Sequence, residues 1–539
     1  TGIWYESPGI KFLEYLPFYG FWLLEQFRIC SNSREKSWIR IGDYFLKVFF
    51  LVNFLVLSGF LVFQGRINLD EGYLSTAAKR TQEGRILYQE TAFTQGPILP
   101  KVYGLLLEKF QYSFLTGRIL TFAISLSTVA LALCFSFHQG GRYALLITSF
   151  LLCWNIDYAY FSVLVKTYSL ATFFLTLAVF LFLKAPNPYF SATVRVFSVL
   201  GFSWMASWTR ISLFPFFFCF LGYFFYHATI KKKYLVLGFS FLMSLSIYWF
   251  YPAPFASIYF HLIQFHLGFT PVEPWGYRKT LLLKYTYENF YSFCWIALIL
   301  AFGRLFWIQK SVSFPQERFV LWITGGVALF HFGVNTGQPE YQTVLYPIAS
   351  YFVGIWGGRL LKKKPWRQSI WILLLIGYLA FCGFERGWRT CYGIREERWA
   401  PVDMIRYVEK CLETTQKQHA LGTKVLTMDP LPVLRRPFET FFGMEMGPFS
   451  FYPDLSSAEM NRFGVVNRQK IEYWIEQKEP DIILYTSDFF ARENPSLQEM
   501  PEFWRIQLLT KIQNHYERVQ SIGGYGQLHQ TLDIYIKKP

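Results

Sequence analysis

The chain has 539 residues, of which 53% are hydrophobic, 21% aromatic and only 16% charged. Soluble domains carry about 25% charged residues, so a wholly soluble globular protein is excluded and an integral membrane protein with a polar domain attached is expected. The net charge of +16 does not point to nucleic acid. The basic residues cluster in short loops between apolar runs, where they act as topology signals and contacts to anionic lipid.

Residues 1–43 mix Phe12, Leu16, Phe21, Leu24 and Phe27 with Lys11, Glu14, Glu25 and Arg28. This pattern predicts an amphipathic helix lying on the membrane, followed by the basic stretch Arg34 to Arg40. No cleavable signal is read here, and because the chain opens at Thr1 a short leader is expected to be missing or renumbered. The first span is expected at 44–63. A long loop, 64–112, then carries Asp70-Glu71-Gly72-Tyr73, Gly84-Arg85-Ile86-Leu87-Tyr88 and Gln95-Gly96-Pro97. Asp70 is expected to cap a short helix that stops at Gly84, and Pro97 to open a second one.

Further spans are expected at 113–136, then in the run 143–183 broken at Asn155-Ile156-Asp157, and in the run 196–229 broken at Arg210. Others follow at 234–250, 286–308, 319–334, 342–360 and 369–384. At roughly 20 residues per crossing, the total is about eleven spans. Basic loops alternate with acidic or neutral ones, which puts residues 1–43 in the cytoplasm and the 64–112 loop outside. Residues 385–539 fall on the same outer side. There, helical patterns at 402–416, 467–478 and 502–517 alternate with apolar runs at 424–428, 481–485 and 532–537, the pattern of a small α/β domain. It lacks a glycine-rich phosphate loop.

The eight cysteines include no CxxC pair. Cys134, Cys153, Cys219, Cys294 and Cys382 lie in or beside apolar runs, where cysteine is a small hydrophobe. Cys391 and Cys411 lie in the outer domain, where a disulfide is open to them.

Among residues able to carry chemistry, Asp70 and Glu71 stand first. On a soluble protein they would read as a helix cap with a favourable dipole. At the lip of a membrane a pair of carboxylates is costly, and a functional role is favoured. Such a group acts as a general base or, less well supported by its neighbours, as a ligand to a divalent cation. Lys166 and Arg210 lie inside apolar runs and need an anionic partner, either a lipid phosphate or the Asp70-Glu71 pair. Tyr73 and Tyr88 are sugar-stacking candidates. His261, His266, Glu340 and Tyr341 are candidates for substrate contact, against a plainer reading as interfacial hydrogen bonding for the histidines and an exposed turn for the other two. The five-residue spacing of the histidines does not suit a zinc pair on a helix.

Taken together, these residues resemble the GT-C glycosyltransferases, specifically the family 39-like group of protein O-mannosyltransferases and bacterial aminoarabinose lipid A transferases. Members carry an acidic motif in the first outer loop, here Asp70-Glu71, and the run Asp70–Tyr73, Gly84…Tyr88, Gln95-Gly96-Pro97 is similar to that of bacterial members. The resemblance covers residues 44–385. It implies an α-helical polytopic GT-C-like membrane domain over 44–384 with a C-terminal extracytoplasmic α/β domain, set in a bacterial inner (plasma) membrane. It further implies transfer of a sugar from a polyprenyl-phosphate donor to a glycan, lipid or protein acceptor on the outer face, with inversion. Asp70 would be the base, Glu71 its support or a metal partner, and Lys166 and Arg210 the donor-phosphate ligands. Two alternatives stand beside it: a transporter or flippase of lipid-linked substrates, and a non-catalytic assembly subunit of the same fold.

Overall fold

The computed structural model describes residues 36–183, 192–250, 252–265, 315–333, 339–363, 400–486, 500–527 and 529–539. The expected amphipathic segment before residue 36, the spans at 286–308 and 369–384, His266 and Cys391 lie outside the described residues.

Helix α1 (Lys36–Gln64) runs to the acidic loop. There the chain turns by 85° into α2 (Leu69–Gln82). The cap of α2 is Asn68, not Asp70. Asn68 Oδ1 accepts the Asp70 amide at 3.0 Å, and the Glu71 carboxylate reaches back to the Asn68 amide at 3.1 Å. This reciprocal capping box leaves the Asp70 carboxylate outside the capping bonds. Gly84, at φ +83°, ends the helical stretch as expected. Pro97 caps α3 (Ile98–Phe110).

The segment α4 (Phe114–Cys153) is helical over its length but breaks at Gly141, where φ is 72° and ψ −159°. Thr148 donates to Ser136 Oγ at 2.9 Å. Twelve residues of straight helix would hold these about 18 Å apart, so α4 is two antiparallel limbs joined at Gly141. A short α5 (Ile156–Phe161) and an irregular stretch 162–166 lead to α6 (Thr167–Leu183). Next come α7 (Ala192–Thr209), a 3₁₀ turn at Ile211–Leu213, α8 (Phe214–His227) and α9 (Ile230–Phe250). The breaks expected at Asn155–Asp157 and at Arg210 are both present.

A short helix, α10 (Phe255–Tyr259), continues through Phe260–Gln264. It is followed by α11 (Pro315–Gly333), a 3₁₀ segment at Pro339–Leu345 and α12 (Tyr346–Lys363). Among the described residues, α4 is the one helix that alone meets the length and apolarity of a membrane span; α1 with α2 does so as a bent pair.

Small residues set how closely the helices approach. A Cβ at Gly354 would stand 2.0 Å from Thr148 Oγ1 and 2.8 Å from the Ala144 carbonyl, and one at Gly358 would stand 2.7 Å from the Ala144 amide. Gly354 and Gly358 are four apart, so they form one glycine face on α12 against the returning limb of α4.

The C-terminal domain holds α13 (Pro401–His419), β1 (Lys424–Thr427), β2 (Glu439–Thr440), α14 (Ser457–Phe463), α15 (Arg468–Glu476), β3 (Ile482–Thr486), α16 (Glu502–His515), β4 (Tyr516–Tyr525) and β5 (Gln530–Lys537). Its strand order is β2-β1-β3-β5-β4. β1 pairs in parallel with β2 and β3, while β5 runs antiparallel to β3 and β4. The expected helices and the strands at 424–428, 481–485 and 532–537 are present within a few residues. Strands β2 and β4 were not among the expected elements.

Gly354→Ala is expected to cost about 1–3 kcal/mol through overpacking, seen as a lower melting temperature of the detergent-purified protein. Gly59→Ala, where an added Cβ meets nothing within 4 Å, should leave it unchanged.

Candidate active site

Four charged side chains from four segments converge beside the first turn of α2. Lys166, at the end of the irregular stretch 162–166, lies 2.9 Å from Asp70 Oδ2 and donates to Glu340 Oε1 at 2.9 Å. Tyr168, two residues on, donates its hydroxyl to the same Glu340 oxygen at 2.7 Å. On the other side of Tyr168 stands Arg210, whose guanidinium carbon is 4.4 Å from the Tyr168 ring centre and 4.7 Å from that of Tyr341. Arg210 Nη1 donates to Thr167 Oγ1 at 3.3 Å, and its buried Nε has no hydrogen-bond partner among the described residues.

The site therefore brings together Asp70, Lys166, Arg210, Glu340 and Tyr341, which the sequence singled out separately. It adds Tyr168 and Thr167, which it did not. Burial disfavours the Lys166 ammonium, but the Asp70 and Glu340 carboxylates hold its pKa well above the usual lysine range. Burial opposes the Glu340 carboxylate likewise, and Lys166 and the Tyr168 hydroxyl hold its pKa below the ordinary value. The ion pairs win on both partners because each carboxylate has a donor at hydrogen-bond distance.

Asp70 and Glu71 are adjacent in sequence and opposite in environment. The Asp70 side chain remains 29% exposed, whereas those of Glu71 and Arg118 are wholly buried. Arg118, near the start of α4, donates from Nε to Glu71 Oε1 at 2.9 Å and from Nη2 to Oε2 at 2.7 Å. The same guanidinium donates to the carbonyls of Gly65 and Arg66, each at 2.7 Å. Glu71 Oε1 also accepts the Val165 amide at 3.2 Å. One buried ion pair thus ties the end of α1, the start of α2, the start of α4 and the residue before Lys166.

Two glycines of the sequence motif owe their identity to close approach. At Gly96 a Cβ would fall 1.7 Å from the Trp208 carbonyl oxygen, so the outer loop touches α7 two residues before Arg210. At Gly72 it would fall 3.2 Å from the Leu431 amide and Pro430 Cγ, and 3.3 Å from Asp429 Oδ1.

Tyr73 is buried, with its ring set edge-on against Phe93 and Phe449 at 6.4 and 5.9 Å. Burial first, and then Asp70, raises its pKa well above the usual phenol value, so the hydroxyl keeps its proton. Tyr88 is almost completely buried, takes a positive φ of 70° and donates its hydroxyl to the Gln95 carbonyl at 2.7 Å. His261 packs 6.1 Å from Tyr88 and hydrogen-bonds from Nε2 to the Phe463 carbonyl at 2.8 Å. Burial lowers its pKa to about 4, so at neutral pH it is an uncharged tether between α10 and the C-terminal domain. Tyr88 and His261 thus lie in a packed aromatic cluster that Phe93 joins to Tyr73.

Among the described residues, no three His, Cys, Asp or Glu side chains gather as a metal site. The carboxylates of Asp70 and Glu340 each already face Lys166.

No protein-family model matches the sequence, and neither does any curated protein. Solved structures do. The chain is similar to apo ArnT from Cupriavidus metallidurans over 93% of its own length and 98% of that chain, with a TM-score of 0.53 at 12% identity. The same protein bound to undecaprenyl phosphate gives 0.53 at 13% identity, over 90% and 97%. The apo oligosaccharyltransferase of Archaeoglobus fulgidus gives 0.50 at 12% identity, over 90% of this chain and 74% of that one. The chain thus shares its fold with ArnT and with the archaeal oligosaccharyltransferase.

Removing one partner of a buried ion pair strands the other and costs about 3–5 kcal/mol. Glu71→Ala and Arg118→Ala should therefore each lower the melting temperature of the purified protein sharply. Asp70→Asn, at a more exposed carboxylate, should leave it near wild type.

Proposed function

We propose that this chain is a membrane glycosyltransferase that moves a sugar from a polyprenyl-phosphate donor to an acceptor on the extracytoplasmic face, with Asp70 as general base. The observation that carries the reading is the pairing of one accessible carboxylate with two buried cations at a single spot. Asp70 and Glu340 together balance Lys166 and Arg210, so the empty group is close to neutral. A phosphodiester donor brings one negative charge, and the departing phosphate monoester carries about −1.5 to −2. Positive groups already fixed in place act most strongly on charge that develops during the reaction. Arg210, with an unfilled Nε and two aromatic rings beneath its guanidinium, is built to receive an anion.

In the proposed step the acceptor hydroxyl gives its proton to an Asp70 carboxylate oxygen. The acceptor oxygen forms a bond to the anomeric carbon as the bond from that carbon to the phosphate oxygen breaks. The electron pair leaves with the polyprenyl phosphate, whose oxygens are met by Arg210 and Lys166. Direct displacement from the opposite face inverts the anomeric configuration. Lys166 can serve both ends, because it sits between the base and the leaving group.

Glu71 takes an anchoring role here and not a catalytic one, since both of its oxygens are spent on Arg118, Asn68 and Val165. Tyr73 lies within the electrostatic reach of Asp70, Lys166 and Arg210, and a role in sugar contact fits it better than it fits Tyr88. The shared fold of ArnT, a protein with a solved structure bound to undecaprenyl phosphate, supports the same donor class. Acceptors open to this reading are a glycan, a lipid or a protein.

The test supplies membranes containing the protein with a radiolabelled polyprenyl-phosphate sugar and follows label into glycosidic product. Loss of a general base costs roughly 10²–10⁴ in rate, so Asp70→Asn should transfer at least about a hundredfold more slowly while still binding undecaprenyl phosphate. Arg210→Ala should instead weaken that binding. Normal transfer by Asp70→Asn would remove the base assignment. Labelled lipid crossing the membrane without any glycosidic product would favour a transporter.

A further inference from the structure

We infer that the C-terminal domain serves the transfer reaction as a clamp on α2, holding Asp70 in place through the turn Asp429-Pro430-Leu431. The inference deepens the glycosyltransferase reading and rests on it.

Helix α2 is short, with a mean composition that is polar, yet residues 71–80 are all buried. Fourteen residues of helix are marginal alone in water, so its position depends on what surrounds it. Glu71 and Arg118 fix its first turn from the membrane side. Beside the Asp70–Lys166 pair and the bond from Gln82 to Glu108 of α3, further polar anchors come from the C-terminal domain. Lys79 Nζ donates to the Phe438 carbonyl at 3.2 Å, and Arg80 Nη2 donates to the Thr440 carbonyl, in β2, at 2.8 Å. Arg80 Nε lies 3.8 Å from the buried Glu445. Phe449 packs edge-on against Tyr73. Ile67 and Phe114, which flank the Glu71–Arg118 pair, share one buried cluster with Val402 and Ile405 of α13.

The Asp429 turn is the contact nearest the chemistry. It follows β1 and reaches Gly72, two residues after Asp70, at a separation that leaves no room to spare for a side chain. The turn is itself braced. Asp429 Oδ1 accepts the Leu431 amide at 3.0 Å, and Oδ2 accepts the Tyr525 hydroxyl, at the end of β4, at 2.7 Å. A chain of contacts thus runs from the far edge strand of the sheet through Tyr525 and Asp429 to the backbone of Gly72. Gly72, Asp429 and Tyr525 are positioning residues; the helix they hold carries Asp70 into contact with Lys166. Misplacing a reacting group by about 1 Å can cost on the order of a hundredfold in rate, so a clamp of this kind matters to turnover without touching the donor.

The experiment uses the full chain in detergent, with hydrogen exchange across α2 and binding of undecaprenyl phosphate as paired readouts. In Gly72→Ala and Asp429→Ala, amides of residues 72–80 should exchange at least about tenfold faster, while undecaprenyl phosphate binds within about twofold of wild type. Tyr525→Phe, a milder change, should loosen α2 in the same direction and add little to Asp429→Ala, because both act through one bond. Asp429→Asn, which keeps an acceptor oxygen, should retain most of the protection. Transfer should fall in the order in which α2 loosens. Unchanged exchange in α2 for all three loosening variants would overturn the inference, as would equal loss of protection in helices remote from it. Wild-type protein that forms no labelled glycosidic product would instead defeat the glycosyltransferase reading while leaving the exchange result intact, so the two failures are distinguishable.

Discussion

The buried pair of Glu71 and Arg118 is the interaction on which the rest of the site depends. Arg118 spends its donors on a carboxylate and on carbonyls at the end of α1, and Glu71 spends its acceptors on Arg118 and on two backbone amides. With every charge matched by a hydrogen bond, the cost of desolvating both ions is met by geometry and not by solvent. Four chain segments, distant in sequence, are thereby fixed to one point. Asp70 is the residue beside that point, and Lys166 is the residue after Val165. The spacing of Asp70 and Lys166 is therefore set by the buried pair next to them.

The charged group itself shows a division of labour. Lys166 is shared between Asp70 and Glu340, which keeps the ammonium at the boundary between an accessible carboxylate and a phenol-supported one. Tyr168 joins that half to Arg210, offering its hydroxyl to Glu340 and its ring face to the guanidinium. The array is balanced in charge, and under the proposed function a phosphate would draw its two cations. Dispersing the ligands over α2, the 162–166 stretch, the start of α6, the Arg210 break and the Pro339–Leu345 segment makes the site an outcome of the whole fold.

Much of this was legible in the sequence. Charged residues inside apolar runs marked Lys166 and Arg210, and the helix breaks at Asn155 and Arg210 followed from the same polar interruptions. The Asp70-Glu71 pair stood out by its place after the first apolar segment. The sequence could not divide the pair: identical motif logic covers an exposed carboxylate and a buried one, and only Arg118 separates them. Arg118 sits at the edge of an apolar run, where a lone arginine passes for an interfacial anchor. The signal that found Arg210 was nevertheless present there too. Tyr168 was hidden among 35 tyrosines. Asn68 displaced Asp70 as the cap because the capping box needs a glutamate three residues on, and Glu71 meets that spacing. The need for glycine at 72 and 96 arises from Leu431 and Trp208, partners that no local pattern reveals. Strand β4 went unread because its outward positions are polar and its end is glycine-rich, as suits an edge strand.

The most direct measurement is an experimental structure of the purified chain with undecaprenyl phosphate. The expected result is a phosphate between Arg210 and Lys166, with an oxygen within about 3 Å of a nitrogen on each and Asp70 facing the open side. A phosphate bound elsewhere, with Arg210 still resting on Tyr168 and Tyr341 and Lys166 still shared by its two carboxylates, would contradict it.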